Sequence, residues 1–483
     1  MPKFALVTFG CQMNQHDSER IGEVLRGAGY SECERPDQAD LVLLNTCSVR
    51  EKAEQKLRSE VGRLGMLKQQ RPDLLIAVAG CVAQQEGERL MKRMPQIDLL
   101  IGPDQIAELP QALEALDQGA PPRLHIGFDL DEPRFLSARP EPGTAAVSAF
   151  VTVMKGCDER CSFCIVPTTR GPERYRPAPD IVEEIARLVG AGTREITLLG
   201  QTVNSYRDPL RSLPQAPRPE GDWNFACAEP ADESEFPALL RRIVAEVPEL
   251  VRLRYTSPHP RHLTPSLIRA HAELEPLVRH LHLPLQSGSD RVLKRMIRRY
   301  TISDYRERVR ALRAAVPGLT LSTDVIVGFP GETLDDFAAT VRFVDEIGFT
   351  GLFGFKYSAR PFTPALRLGD DIPEAEKSRR LEELFALSDA YRRVHLESRV
   401  GHEEAVLVEG RGRGADFSGR SERNEIVHIR APEVDPTGHL VRVRIQQAFN
   451  NSLSGVLSDE RGLPKLADRA VAPARRALPV LSS

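Results

Sequence analysis

The chain has 483 residues, enough for roughly two to four domains with ample core. Its 65 Lys and Arg against 68 Asp and Glu leave a formal charge of −3, so no global basic field announces nucleic acid. No uninterrupted apolar run approaches a membrane span, the N-terminus lacks the regions of a signal peptide, and the eight cysteines fall into cluster-like sets. A cytoplasmic protein with reduced thiols and no membrane partner is therefore expected.

Residues 1–118 alternate strand and helix signals. The apolar runs Phe4–Val7, Leu41–Leu44 and Leu75–Val78 each precede a cysteine: Cys11, Cys47 and Cys81. The spacings of 36 and 34 residues each hold a helix-like stretch, so the segment reads as parallel βα units. Cysteines at equivalent strand ends share one edge of the sheet, where ligands of open α/β sheets bind. The three thiols are thus candidates for a shared site, although any one alone would read as a buried small hydrophobe. Cys33 and Cys227 have no such context. Leu99–Gly102 and a helix from Asp104 complete the domain, and the Pro- and Gly-rich residues 119–144 read as a linker.

A second βα series is expected over 145–399. Its strands are Phe150–Met154, Glu195–Leu199, Val251–Tyr255, His280–Leu285, Leu319–Val327 and Leu352–Tyr357. Its helices include Asp180–Val189, Pro237–Val247, Asp304–Ala315 and Thr333–Ile347. Six successive units suggest a partial (β/α)6 barrel. The first strand leads into Cys157, Cys161 and Cys164, spaced C-x3-C-x2-C. A cubane 4Fe–4S cluster normally takes four cysteines, so three leave one iron open to an exogenous ligand. S-adenosylmethionine, with its chelating amino and carboxylate groups, suits that position, and the protein's part is to place and shield the chemistry. A zinc loop is the alternative, though zinc sites favour four ligands in paired units.

Gly200 and Gln201 close the second strand and Gly328 and Gly331 the fifth, where glycine lets backbone approach a cofactor; an ordinary turn is the alternative. Asp208–Ser234, with five prolines and the lone Trp223, reads as a surface insertion. Residues 279–313 hold ten Lys or Arg and three acids, a candidate phosphate-binding face that includes Arg298 and Arg299, or else a solvated helix face. The histidines show no metal-ligand spacing.

A long helix is expected from Pro373 to about Arg399. From about residue 400 the pattern turns to short strands, Glu404–Val408, Glu425–His428 and Leu440–Ile445, suggesting a small β-barrel over 400–457. It carries seven Arg and eight acids over 402–447, but the loop residues Arg411, Arg413 and Arg420 could still reach phosphate. Residues 458–483 read as a disordered tail.

These blocks together resemble a known family. Gly10-Cys11-Gln12-Met13-Asn14, Asn45-Thr46-Cys47-Ser48-Val49-Arg50 and Ala79-Gly80-Cys81-Val82-Ala83-Gln84 are similar to N-terminal signatures of the radical-SAM methylthiotransferases. Gly156 through Gly171, Leu198–Tyr206 and His282–Ser289 resemble their later blocks, and the last domain resembles a TRAM module, which binds RNA. The resemblance implies two 4Fe–4S clusters: a catalytic one on Cys157, Cys161 and Cys164 that binds S-adenosylmethionine, and an auxiliary one on Cys11, Cys47 and Cys81 that handles sulfur. It implies cofactor contacts at Gly200, Gln201, Gln286, Gly328 and Gly331, and RNA contacts at Arg298, Arg299, Arg411, Arg413 and Arg420. Gln12-Met13-Asn14 and Cys47-Ser48-Val49-Arg50 point to the members that methylthiolate adenine carbon 2 in tRNA bearing N6-isopentenyladenosine next to the anticodon. Rivals are members acting on threonylcarbamoyladenosine or a ribosomal protein, and, from another class, a non-catalytic RNA-binding metalloprotein. An electron donor such as flavodoxin or ferredoxin and a sulfur or cluster supply system are implied partners. The chain departs from the family pattern at Ile297, where Asn is expected, at Phe362, where Gly is expected, and in the length of the Asp208–Ser234 insertion.

Overall fold

Short apolar runs separated by helix-length segments fold as parallel βα units, because a parallel strand must be reached by a crossover. The computed structural model describes residues 1–48, 51–131, 133–140, 143, 145–211, 235–412 and 416–465, with the side chains of 51 and 52 left out. Most of the expected insertion, Arg413 and the end of the tail lie outside the described residues.

The first domain comprises β1 (Lys3–Phe9), α1 (Gln12–Gly27), β2 (Ser31–Glu32), β3 (Leu41–Thr46), α2 (Glu51–Gln70), β4 (Leu75–Ala79), α3 (Cys81–Glu86), α4 (Glu88–Arg93), β5 (Leu99–Ile101), α5 (Leu109–Asp117) and β6 (Arg123–His125). All six strands are parallel, in the order β2-β1-β3-β4-β5-β6. Both faces are covered, so β3 is buried throughout. Phe4, Leu6, Leu41 and Leu43 pack on Ile21, Leu25 and Leu113, while Ala5, Val42 and Leu44 pack on Val61, Leu64 and Leu90. Residues 123–125 correct the linker reading: they form the sixth strand, with Gly102 N–H donating to His125 O at 2.7 Å. Ala138, later in that segment, is also tied down: its N–H donates to the buried Glu184 at 2.6 Å.

The second domain holds β7 (Ser148–Thr152), β8 (Met154–Lys155), α6 (Val166–Arg170), β9 (Arg174–Tyr175), α7 (Ala178–Gly190), β10 (Glu195–Leu199), α8 (Phe236–Glu246), β11 (Arg252–Tyr255), α9 (Pro265–Glu273), β12 (His280–His282), α10 (Asp290–Arg295), α11 (Ile302–Ala315), β13 (Thr320–Val327), α12 (Leu334–Ile347), β14 (Gly351–Lys356) and α13 (Glu374–Glu397). Two parallel sheets, β7-β10-β11 and β12-β13-β14, are joined by a parallel bridge between Leu253 and Leu277. The expected partial barrel therefore runs through six strands in sequence order. Capping boxes at Thr301 and Thr333 start α11 and α12.

The third domain is a closed barrel, β15 (Glu403–Arg411), β16 (Phe417–Ser421), β17 (Ile426–Arg430), β18 (Leu440–Ala448) and β19 (Ser452–Leu457). Val441, Val443 and Ile445 point inward and Arg442 and Arg444 outward, the period of a half-buried strand. The tail reading is corrected in part: Asp435 N–H donates to Pro464 O at 2.9 Å and Lys465 bridges Val434. Arg252 and Arg254 of β11 donate to Ala405 O at 2.7 Å and Ser421 O at 3.1 Å, and Arg423 donates to Gly318 O at 3.1 Å, docking the barrel on the second domain.

Both departures from the family pattern that lie at single residues fall on left-handed backbone: Ile297 has φ 58° and Phe362 has φ 65°. Asn and Gly tolerate that region, whereas other L-residues pay about 1–2 kcal/mol there. Ile297→Asn is accordingly expected to stabilise the chain by about 1 kcal/mol. A thermal midpoint that stays level or falls would count against this reading.

Candidate functional site

Register carries the first cysteine set to one sheet edge. Phe9 pairs with Thr46 and Asn45 with Ala79, so Cys11, Cys47 and Cys81 follow equivalent strand ends. A side chain on Gly80, at φ 90°, would collide with the Asn45 amide and the Thr46 carbonyl, so only glycine lets α3 begin there. Asn14 and Asn45 brace this edge: Asn45 Nδ2 donates to Asn14 O at 2.8 Å. A hydrogen bond with Cys47 pulls the Cys11 thiol down to about 6, with Arg170 assisting against burial. Burial raises Cys81 despite Arg170.

The second set lies on the loop between β8 and α6, at the C-terminal end of the barrel strands. Gly156 begins the loop at φ 81°, and a side chain there would strike the Pro172 carbonyl. Cys157 N–H donates to Gly171 O at 3.1 Å and Cys164 N–H to Cys161 O at 3.0 Å. Cys157 Sγ meets Thr202 Oγ1 at 3.0 Å, and Arg298 Nη1 donates to Cys161 Sγ at 3.4 Å. Burial lifts the Cys157 thiol strongly, and burial with the Cys161 charge lifts Cys164 to about 12. Ligation would displace these protons.

The sulfur spacing tests zinc against a larger group. Zn–S bonds of about 2.3 Å at tetrahedral angles put sulfurs about 3.8 Å apart. Among the described residues, the only three His, Cys, Asp or Glu side chains with ligand atoms all within 4.8 Å are Glu159, His259 and His262. In neither cysteine set do all three sulfurs lie within 4.8 Å of one another, although Cys11 and Cys47 share a hydrogen bond. Three thiolates, each on a different iron, suit a multi-iron cluster with one iron left open.

The Glu159 group is itself unsuited to a metal. Arg261 N–H donates to His259 Nδ1 at 3.2 Å, which leaves the proton on Nε2, the nitrogen facing Glu159. His262 Nε2 lies 2.9 Å from Glu159 Oε1. Burial would raise the Glu159 carboxyl, but the two imidazoles and Arg299 outweigh it and keep it ionised. The trio clamps the cysteine loop to the end of β11. Sequence reading passed over it; His259 and His262, three apart after a barrel strand, were the available signal.

The remaining expected site residues divide. Gln201 Oε1 accepts from Gly156 N–H while its buried Nε2 lacks a protein partner, which leaves a donor for a carboxylate ligand. Gly200 packs against Met154 and Val203. Gln286 pairs through its main chain with Asp324 and Ile326, at 2.8 and 2.9 Å. The space beside Gly328 is taken by Lys377 and that beside Gly331 by Arg295. The side that a Cβ would occupy at these two glycines is thus filled by protein side chains.

The reading of Arg298 as an RNA contact is overturned. It is 6% exposed, and the left-handed turn at Ile297 and Arg299 directs it inward to Cys161 and Tyr300. Arg299 is half-buried near Glu159. The basic stretch is largely spent internally: Arg291 pairs with Asp336, Arg306 with Glu346, and Arg308 and Arg313 donate to backbone carbonyls. Arg420 is tied to Glu409 and Asn424, whereas Arg411 is exposed over the Phe417 ring.

One side chain links the two cysteine-bearing segments across the domain interface. Arg170, at the end of α6, donates to Cys81 Sγ at 3.3 Å and to Asp17 at 2.6 Å. Asp104 pairs with Lys155 at 3.1 Å and with Arg174.

Comparison with known proteins agrees with this architecture. Residues 3–102 match Uncharacterized protein family UPF0004, 151–344 the Radical SAM superfamily and 397–457 the TRAM domain. A protein of Sorangium cellulosum named tRNA-2-methylthio-N(6)-dimethylallyladenosine synthase is 60% identical, covering 100% of this chain and 99% of its own. One of the same name from Bordetella petrii is 44% identical over 95% of this chain and 92% of its own. The solved radical S-adenosylmethionine methyltransferase TsrM from Kitasatospora setae shares the fold at TM-score 0.53 and 14% identity, covering 85% of this chain and 79% of that one.

Proposed function

Because the chain belongs to the family of the tRNA-2-methylthio-N(6)-dimethylallyladenosine synthases, we propose that it methylthiolates adenine carbon 2 of N6-isopentenyladenosine next to the anticodon of tRNA. The observation that carries this reading is that two three-cysteine sets, each at the C-terminal end of parallel strands, belong to domains joined by Arg170, which runs from the loop of one set to Cys81 of the other.

S-adenosylmethionine and two 4Fe–4S clusters, when bound, supply radical hydrogen abstraction and a methylated sulfur. Cys157, Cys161 and Cys164 hold the cluster that takes S-adenosylmethionine, and Cys11, Cys47 and Cys81 hold the other. Gln201 Nε2 offers a buried donor to the cofactor carboxylate. Thr202 and Arg298 orient the Cys157 and Cys161 sulfurs, and the Glu159–His262 contact anchors the loop that carries them.

The closed barrel is the proposed tRNA-holding module, with Arg411, Arg430, Arg442 and Arg444 among its exposed cations. A flavodoxin- or ferredoxin-like donor supplies electrons, a sulfur-delivery system restores the auxiliary site, and the reaction takes place in the cytoplasm. No helix among the described residues is long and apolar enough to cross a membrane.

Nucleoside mass spectrometry of tRNA from a deletion strain tests the reading. The 2-methylthio nucleoside should vanish, its unthiolated isopentenyl precursor should accumulate, and restoring the gene should reverse both. An unchanged nucleoside profile in the deletion strain would reject the assignment.

A further inference from the structure

Arg170 occupies a position that structural bracing alone does not explain. It ends the short helix that leaves the Cys157–Cys164 loop, yet its guanidinium lies in the other domain's cysteine site. The side chain is buried: the residue is 4% exposed. Nε donates to Cys81 Sγ at 3.3 Å, and Nη2 donates to Asp17 Oδ2 at 2.6 Å, on the helix that begins just after Cys11. Nη1 is buried without a protein partner, which leaves one more donor for whatever the three cysteines hold. The Arg170 carbonyl accepts from Arg174 Nη2 at 2.6 Å, and Arg174 is itself paired with Asp104. The residue is therefore held at its backbone by Arg174 and at its guanidinium by Asp17 and Cys81.

Reduction adds negative charge to a cluster. A buried cation and an N–H donated to a ligand sulfur both favour the reduced form, and low dielectric magnifies both effects. We propose that Arg170 raises the reduction potential of the cluster held by Cys11, Cys47 and Cys81, through its hydrogen bond to Cys81 and its buried charge. The segment that binds one cluster thereby sets the redox poise of the other. This rests on the reading that Cys11, Cys47 and Cys81 hold an iron–sulfur cluster.

The test uses the full chain in the Cys157→Ala/Cys161→Ala/Cys164→Ala background, so that only the auxiliary cluster reports. After anaerobic reconstitution, its potential is titrated by electron paramagnetic resonance with Arg170 intact, with Arg170→Lys, and with Arg170→Met/Asp17→Asn. The paired change removes the partner carboxylate together with the guanidinium, so no charge is left buried alone. The potential should move negative in the double variant and less so in Arg170→Lys, which keeps the charge but loses the Nε donor. An unmoved potential in a variant that loads iron normally would overturn the proposal. If the double variant loads no iron, Arg170→Lys alone decides on the same criterion. A background that takes up no iron even with Arg170 intact would instead refute the cluster reading. In the reciprocal Cys11→Ala/Cys47→Ala/Cys81→Ala background, the remaining cluster should keep its potential when Arg170 is changed. An equal shift there would mean a general disturbance and would also overturn the proposal.

Discussion

The variant Cys157→Ala/Cys161→Ala/Cys164→Ala is expected to form neither 5′-deoxyadenosine nor methylthiolated adenosine, and to retain about half the iron of the parent chain. Its counterpart, Cys11→Ala/Cys47→Ala/Cys81→Ala, should keep the other half, still cleave S-adenosylmethionine under reductant, and make no methylthiolated product. The separation follows from position. The first set sits on the barrel loop braced by Thr202 and Arg298, the second on a sheet edge in a different domain. Removing the second set deprives Arg170 of its Cys81 acceptor but leaves Asp17 to hold it, so the barrel loop keeps its anchor. Iron analysis and product chromatography on the two variants check this. Methylthiolation at a comparable rate by the second variant would refute the division of labour, and full iron in the first would refute the ligand assignment.

Glu184→Ala is expected to cost the folded state about 3–5 kcal/mol, the effect of leaving a buried partner charge uncompensated. Glu184 is 0% exposed and lies on the inner face of α7. It accepts from Arg176 and from the Ala138 N–H, and Arg20 of the first domain approaches within 3.9 Å. One carboxylate thus joins the barrel, the connecting segment and the N-terminal domain. Removing it strands Arg176, itself buried, in a low-dielectric site. A large fall in the urea midpoint is the expected observation. The paired change Arg176→Met/Glu184→Leu should recover much of the loss, because replacing a whole buried pair by apolar groups is often close to neutral. A single variant that unfolds like the parent chain would show that the junction bears little of the stability.

The longer strands of the first two domains were legible because their signals are local: continuous apolar runs with turn residues at either end. The equivalence of Cys11, Cys47 and Cys81 could be read for the same reason, since each follows such a run. β16 was not legible, because Phe417-Ser418-Gly419-Arg420-Ser421 has no apolar run. Its Gly419 is required where a side chain would meet the Leu407 carbonyl of the neighbouring strand, a constraint that exists only once the barrel closes. β6 was hidden behind Pro121-Pro122 and gains its place by pairing with β5.

Local pattern specified the order of the main elements, the positions of the two three-cysteine sets and, through motif resemblance, the chemistry these serve. Those are properties of periodicity and spacing over a few dozen residues. Tertiary structure alone decided what each charge does. Arg298 looked like part of a basic face and is folded inward onto Cys161, 137 residues away in sequence. Arg170 follows the barrel's cysteine loop in the chain, yet it reaches Cys81 and Asp17, separated from it by 89 and 153 residues. Whether an arginine meets phosphate, a carboxylate or a thiol depends on which distant segment is packed against it. Burial makes that choice decisive, because a charge removed from water must find its partner within the fold.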